Sequence, residues 1–294
     1  MSTQVMTRPE TRADRHPVKP RRRRRRSNIP AGLAAGVWFL IVAIPIYFIV
    51  VTSIRTQDAY VADGPLDPPT SVTFDNYTNV LELGFATFLR NSVIAALATV
   101  VLVLALALPA AYAIVRGRSR AVRMGFTLFL IGLAIPAQAV IIPIYLIITR
   151  LHLYDSLTAI VLPTAAFSLP MAVVVLTSAL RDVPNELYEA MTVDGAGPGT
   201  LFRRLVVPLS RPALASVGIF AGLNAWNGFL FPLVLTQSSD QRVLPLGLWN
   251  FQSQYGTDVP GLLAAVVLSA LPVLALYLFG RRHLLSGLAA GFSK

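Results

Sequence analysis

Few residues in this chain are equipped for chemistry. Cysteine is absent, and the three histidines (His16, His152 and His283) stand far apart with no ligand spacing between them. Neither a thiolate centre nor a histidine-based metal site is expected. Lysine occurs only as Lys19 and Lys294, both near the termini. A phosphate-binding loop of the form Gly-x-x-x-x-Gly-Lys-Ser/Thr needs a lysine beside its glycines, so no ATPase site, and no bound cofactor, is expected on this chain. Two acidic groupings remain. Asp58, Asp63 and Asp67 share one polar stretch, where an integral membrane enzyme acting on lipid-linked sugars would place its carboxylates. Glu186, Glu189 and Asp194 share a second stretch, from Arg181 to Pro212. A third set is uncharged: Gln138, Asn224 and Asn227, with Tyr145 and Trp226, sit in apolar surroundings. There such groups either replace the water around a solute hydroxyl or bond one helix to another.

The elements that must position these residues are membrane spans. The chain has 294 residues, 55% of them hydrophobic and 13% charged, about half the charged share of a soluble domain. A bilayer core needs roughly 20 apolar residues of helix. The blocks Ala31–Ile54, Ser92–Val115, Met124–Ile148, Leu157–Leu180, Ala213–Leu235 and Leu262–Phe279 all qualify, and none contains Asp, Glu, Lys or Arg. Every block carries proline, as Pro45, Pro109, Pro136, Pro143, Pro163, Pro170, Pro232 and Pro272. Membrane helices tolerate proline because neighbouring groups re-satisfy the freed carbonyls; the prolines predict kinks, or a pathway that is not straight. Gly218 and Gly222 form a Gly-x-x-x-Gly pattern, the mark of close helix packing, within this chain or against a partner. The expected fold is all-α, with six transmembrane helices.

The net charge of +11 suggests nucleic acid until its distribution is read. Ten of the 25 basic residues precede Ile29, including the run Arg21 to Arg26. With that tail inside, the segments Arg116–Arg123, Arg181–Pro212 and Arg281–Lys294 are also inside and carry most of the remainder, while Arg55, Arg150 and Arg242 fall outside and Arg90 lies at a boundary. The asymmetry predicts both termini cytoplasmic. The arginine run then anchors the chain and binds anionic lipid; no nucleic acid partner is expected. The first block is too long for a cleaved signal peptide. Outside, residues 55–90 read as a flexible, acidic, proline-rich loop. Residues 236–261 carry Trp249, Phe251 and Tyr255, suited to a partner surface or to headgroup anchoring.

The inside stretch Arg181–Pro212 reads as two short helices. Asn185 is a candidate N-cap, with Glu186 and Glu189 in the first turns. Asp194 and Gly195 close the first helix, Pro198 opens the second and Pro208 stops it. Leu187, Ala190 and Met191 fall on one stripe with no bilayer to enter.

The run Glu189-Ala190-Met191, then Asp194-Gly195-Ala196 and Pro208, resembles the EAA loop of binding-protein-dependent ABC importers, with Met191 where a second alanine is usual. Phe74-Asp75-Asn76-Tyr77, Asn91-Ser92, Ala111-Tyr112-Ala113, Trp226-Asn227 and the ending Gly287–Lys294 resemble the carbohydrate-uptake branch, closest to the maltose-type G permease subunit. The resemblance runs from about Ile29 onward. It implies a type I ABC importer fold in the inner membrane: a basic tail (1–30), a first span (31–54), an extracytoplasmic loop (55–87), a core (88–281) holding the coupling loop (181–212), and a C-terminal tail (282–294). It also implies a second permease subunit, two ATPase subunits that carry ATP and Mg, and an extracytoplasmic solute-binding protein. Glu186, Glu189, Ala190, Met191, Asp194, Gly195 and Pro208 would form the coupling element. A sugar is the implied solute. A polyol phosphate is the alternative, but the absence of Lys and Arg from the spans counts against an anion.

Overall fold

The computed structural model describes residues 29–64, 66–253 and 256–292. The tail that holds Arg21–Arg26 lies outside the described residues, as do Tyr255 and Lys294. Contacts divide the chain into two units, Met1–Pro45 and Ile46–Lys294. The described part of the first unit is the opening of helix α1 (Ile29–Ser53), whose Leu33, Trp38 and Phe39 are each more than two-thirds exposed, at 68%, 69% and 69%. Such a helix is soluble only in lipid.

The second unit begins with the end of α1. Two short helices, α2 (Gln57–Ala62) and α3 (Asp75–Glu82), follow it and lead to α4 (Phe85–Arg116). At 32 residues, α4 runs for about 48 Å. Then come α5 (Arg120–Gly132), α6 (Ile141–Arg150) and α7 (Leu157–Arg181). The coupling stretch forms α8 (Asn185–Val193), α9 (Pro198–Leu201), a π-helical turn (Phe202–Val206) and α10 (Val207–Leu209). The chain finishes with α11 (Arg211–Asn227), α12 (Leu230–Leu235), α13 (Leu244–Gly247), a two-stranded hairpin (β1, Gln252–Ser253; β2, Gly256–Thr257) and α14 (Val259–Phe292). The hairpin pairs antiparallel, Gln252 opposite Thr257, and is the one sheet among the described residues.

Three described helices (α1, α4 and α7) are long and apolar enough to cross a membrane singly. Two bent pairs raise the number to five, and Val259–Ala275 is a shorter apolar helix. The block read as Met124–Ile148 is therefore not one rod: α5 and α6 meet at 100°. Pro136 lies at the break with extended backbone, φ −73° and ψ 131°, and Pro143 falls in the first turn of α6, where its missing N–H has no helical partner to lose. The block Ala213–Leu235 is likewise divided, at Gly228 and Phe229.

The core lies between α4, α7 and α11. Val103, Ala107 and Ala111 of α4, Ala172 and Val173 of α7, and Ala221 of α11 are all fully buried. Small side chains there let the backbones approach closely, which drives association where lipid removes the hydrophobic difference. Gly218 and Gly222 belong to the same contact: a Cβ on Gly222 would lie 3.3 Å from Val100. The glycine pair thus packs against α4 of its own chain.

The described residues between 55 and 82 include two short helices and a buried arginine. Arg55 is fully buried and donates through Nη1 to the Gly64 carbonyl, at 3.0 Å, and through Nη2 to the Asp67 carbonyl. Asn76 donates to the carbonyls of Ser53 and Arg55, at 2.9 and 2.7 Å, and the hydroxyls of Ser53 and Tyr77 share a bond of 2.7 Å. A buried guanidinium must find acceptors, and here the chain wraps around one.

Candidate coupling site

Helix α8 is nine residues long and has one buried side chain, Tyr188, 1% exposed. Sequence spacing put Leu187, Ala190 and Met191 on one apolar stripe with no bilayer to enter. In the structure Leu187 is 43% and Val193 88% exposed, with Ala190 also exposed and Met191 half-buried. Glu186, Glu189 and Asp194 are exposed beside them. The packed face is set by Tyr188, whose ring lies under the Arg116 guanidinium at 4.5 Å from the ring centre. Burial pushes the Tyr188 hydroxyl above its ordinary pKa, against the opposing pull of Arg116.

Asn185 is not the N-cap. It is the first residue of the helix, after Pro184, and its Oδ1 accepts from Arg116 Nη1 at 3.1 Å. The C-terminus behaves as read. The Ala196 amide donates to Met191 O at 2.9 Å and the Gly195 amide to Thr192 O at 3.0 Å, a Schellman pair. Gly195 has φ +80°, and a Cβ there would meet nothing within 4 Å. Glycine is needed for its backbone conformation, not for space.

Pro198 opens α9 at its first position, as expected. Pro208 does not stop the segment. The helix continues to Leu209 and turns at Ser210, entering α11 at 73°. The π turn at Phe202–Val206 comes just before Pro208. Widening the hydrogen-bond ring there accommodates a proline that cannot donate to an ordinary α turn. A cleft of about 340 Å³ opens beside the turn, lined by Met191, Asp194, Gly195, Ala196, Thr200 and Arg204.

The pathway candidates scatter. Trp226 and Asn227 line one cleft of about 420 Å³, together with Leu244, Pro245, Leu248 and Ser269. Tyr145 lines another, of about 280 Å³, with Ile141, Ile142 and Val234, and meets Tyr154 edge-on at 5.7 Å. Gln138, in the turn Ala137–Val140, and Asn224 are exposed and line neither. Asn227 Nδ2 donates to Leu223 O of its own helix at 2.9 Å.

Residues 104–287, well over half of the chain, match the family of binding-protein-dependent transport system inner membrane components. This chain belongs to that family. The permease is a multi-pass inner membrane component, the transport part of its system and not a catalytic one. It is 41% identical over 259 residues to ORF2 of Caldicellulosiruptor sp. (strain Rt8B.4), a protein that bears an ABC transporter permease name, across 88% of this chain and 94% of that one. It is 31% identical over 264 residues to the diacetylchitobiose uptake system permease protein DasC of Streptomyces coelicolor, across 89% and 95%. Its fold is that of a solved bacterial ABC transporter involved in alginate import: the TM-score is 0.74 over 86% of this chain and 95% of that one, at 22% identity.

Several companion motifs of the permease have structural work of their own. Asn91, 1% exposed, donates to the carbonyls of Asp240 and Arg242 at 2.7 and 2.9 Å, and the Leu244 amide donates to Ser92 Oγ at 2.8 Å. Tyr112 packs on Phe202 at 5.7 Å between ring centres. Trp249 stacks on Phe229 at 5.5 Å and is half exposed. Sequence reading missed Tyr188 and the Arg116 that covers it. Arg116 had been counted only as an inside charge, and nothing in the spacing signals which residue of α8 meets it.

Asp58, Asp63 and Asp67 form no catalytic cluster in the permease. Asp67 Oδ2 accepts from the Gly64 amide at 3.0 Å, and Asp63 Oδ2 accepts from Thr70 Oγ1 at 2.9 Å. Both carboxylates close local turns.

Proposed function

We propose that this permease forms half of the translocation pathway of an ABC importer for oligosaccharides, with six spans and both termini in the cytoplasm. A second, related permease completes the pathway. An extracytoplasmic binding protein delivers the solute, and two ATPase subunits hold ATP and Mg and grip the coupling loop of each permease. Glu186, Glu189, Ala190, Met191, Asp194 and Gly195 form this chain's coupling element, with Pro208 setting the return into α11. The observation that carries the reading is the exposed face of α8. Leu187 and Val193 are exposed beside Glu186 and Glu189, an apolar surface with an acidic margin that the described residues leave uncovered. Such a face suits a groove with a basic edge.

The oligosaccharide reading draws on relatives named for diacetylchitobiose and arabinooligosaccharide uptake. The cleft of Trp226 and Asn227 offers an aromatic face and an amide, the two groups that bind a sugar ring and its hydroxyls. An importer of a phosphorylated solute would need cations in the spans, and the six apolar blocks contain none.

The test is Glu189→Ala combined with Gly195→Leu. The expected outcome is loss of ATPase subunits from the purified complex, with uptake down at least tenfold and the permease still in the membrane. Retention of both ATPase binding and uptake would remove the coupling assignment.

A further inference from the structure

A nine-residue helix does not hold itself together in water, and α8 must be fixed to something if force applied to it is to reach the spans. Its one buried side chain is Tyr188, and one residue of α4, Arg116, makes two contacts with it. The guanidinium covers the Tyr188 ring at 4.5 Å and donates to Asn185 Oδ1 at 3.1 Å. Asn185 and Tyr188 are three apart and share a face of the helix. Arg116 is the last residue of α4, where a cation also meets the negative end of the helix dipole. One turn earlier, Tyr112 rests on Phe202 of the π turn, at 5.7 Å. The final turn of α4 therefore touches both limbs of the coupling stretch. Behind it, Val103, Ala107 and Ala111 run through the core at four-residue steps, each fully buried. The other helix leading into the stretch, α7, ends with Arg181, which lies over Phe126 of α5 at 5.5 Å and not over α8.

We propose that Arg116 and Tyr188 form the joint that ties α8 to α4, so that displacement of α8 moves α4 with it instead of being absorbed by the flanking turns. Arg116 is a positioning residue: it touches neither solute nor nucleotide and acts through Tyr188. This rests on the reading of α8 as the coupling helix and adds the route by which its movement leaves it.

The chain has no cysteine, so in a complex whose other subunits are made cysteine-free two spin labels can be placed without background, at Val193→Cys on the exposed end of α8 and Val101→Cys on the exposed side of α4. Val193 and Val101 are 88% and 67% exposed. The complete importer is purified with its ATPases and measured by pulsed electron paramagnetic resonance, without nucleotide and after trapping with ATP and vanadate. One narrow distance, the same in both states, is expected for the otherwise unaltered permease and for Tyr188→Phe, which keeps the ring under the guanidinium. Arg116→Gln and Tyr188→Leu are expected to broaden that distance and to shift it on trapping, with ATPase subunits still bound. The joint is overturned if the unaltered pair shifts on trapping, if Arg116→Gln and Tyr188→Leu leave the distance narrow and fixed, or if Tyr188→Phe broadens it as much as they do. Failure of ATPase subunits to co-purify with the unaltered permease would overturn instead the reading beneath it.

Discussion

The segment between α1 and α4 and the segment between α7 and α11 are both polar connections of similar length, yet they are held in different ways. The first is built inward. Arg55 is fully buried, its guanidinium bonded to two backbone carbonyls, and Asn76 bonds to two more. Further round the same end of the helix core, Asn91, Ser92 and Asp155 bind the chain that follows α12. The second segment is built outward. In α8 only Tyr188 is buried, packed into the hydrophobic core and covered by Arg116. Side chains bonded to the backbone fix a loop in place, because each bond broken leaves a buried polar group unpaired. A ring under a cation fixes a helix by one edge and leaves the opposite face free for a partner. One of these segments is tied down by buried side-chain bonds, and the other keeps most of its helix exposed.

Replacing Arg55 tests the first half of that contrast and has the largest expected effect. Arg55→Leu removes two charge-assisted bonds and should destabilise residues 56–72 by about 3 kcal/mol. Protease nicking within that stretch, in membranes, should rise while α8 keeps its amide protection. Equal loosening of both segments would erase the distinction between them. Gly195→Ala probes the other end with a smaller cost of about 1 kcal/mol, because alanine is strained at positive φ. The amides of Gly195 and Ala196 should lose protection while the segment around Arg55 is unaffected. An unchanged exchange pattern would mean that the Schellman turn does not limit α8.

The smallest effect belongs to Asp155. Its Oδ1 accepts from the amides of Gln237 and Ser238, at 2.9 and 3.0 Å. These bonds, the Gln237 amide foremost, hold the carboxyl below its usual range. A depressed folded-state pKa stabilises at every pH above the ordinary carboxylate value, about 3.9, and the contribution fades only as pH falls through the lower folded value. Protection of the Gln237 and Ser238 amides, corrected for intrinsic exchange, should therefore be flat near neutrality and decline only in acid. Asp155→Asn should lower it and remove the acid decline; an acid decline that persists in that variant would assign it to another group.

The apolar helices and the turns of residues 181–212 were legible in the sequence because their signals are local. Runs without charge mark the helices, and Gly195 and Pro198 mark turns through their own backbone restrictions. What escaped were contacts between distant residues. The break at Leu133–Pro136 lies inside an uninterrupted apolar run, and hydropathy is blind to direction. Asn185 looked like a cap because caps are judged from neighbours in sequence, whereas its actual partner, Arg116, is 69 residues away. The stripe on α8 was visible in the spacing of Leu187, Ala190 and Met191, but apolar spacing cannot say which side is covered, and the covered side is that of Tyr188. Asn76, Asn91 and Ser92 were visible as motif members, but their bonds to backbone carbonyls and amides, and the burial of Arg55, emerge only in three dimensions.

The π turn before Pro208 has a consequence for how this chain tolerates insertion and deletion. Its wider ring holds one residue more than an α turn spanning the same rise. Excising a single residue between Phe202 and Val206 would let ordinary hydrogen bonding resume while α11 kept its present azimuth, because the extra residue is absorbed within the turn. A change of one residue in this short stretch is thus taken up where it occurs, and leaves the direction in which α11 faces unaltered.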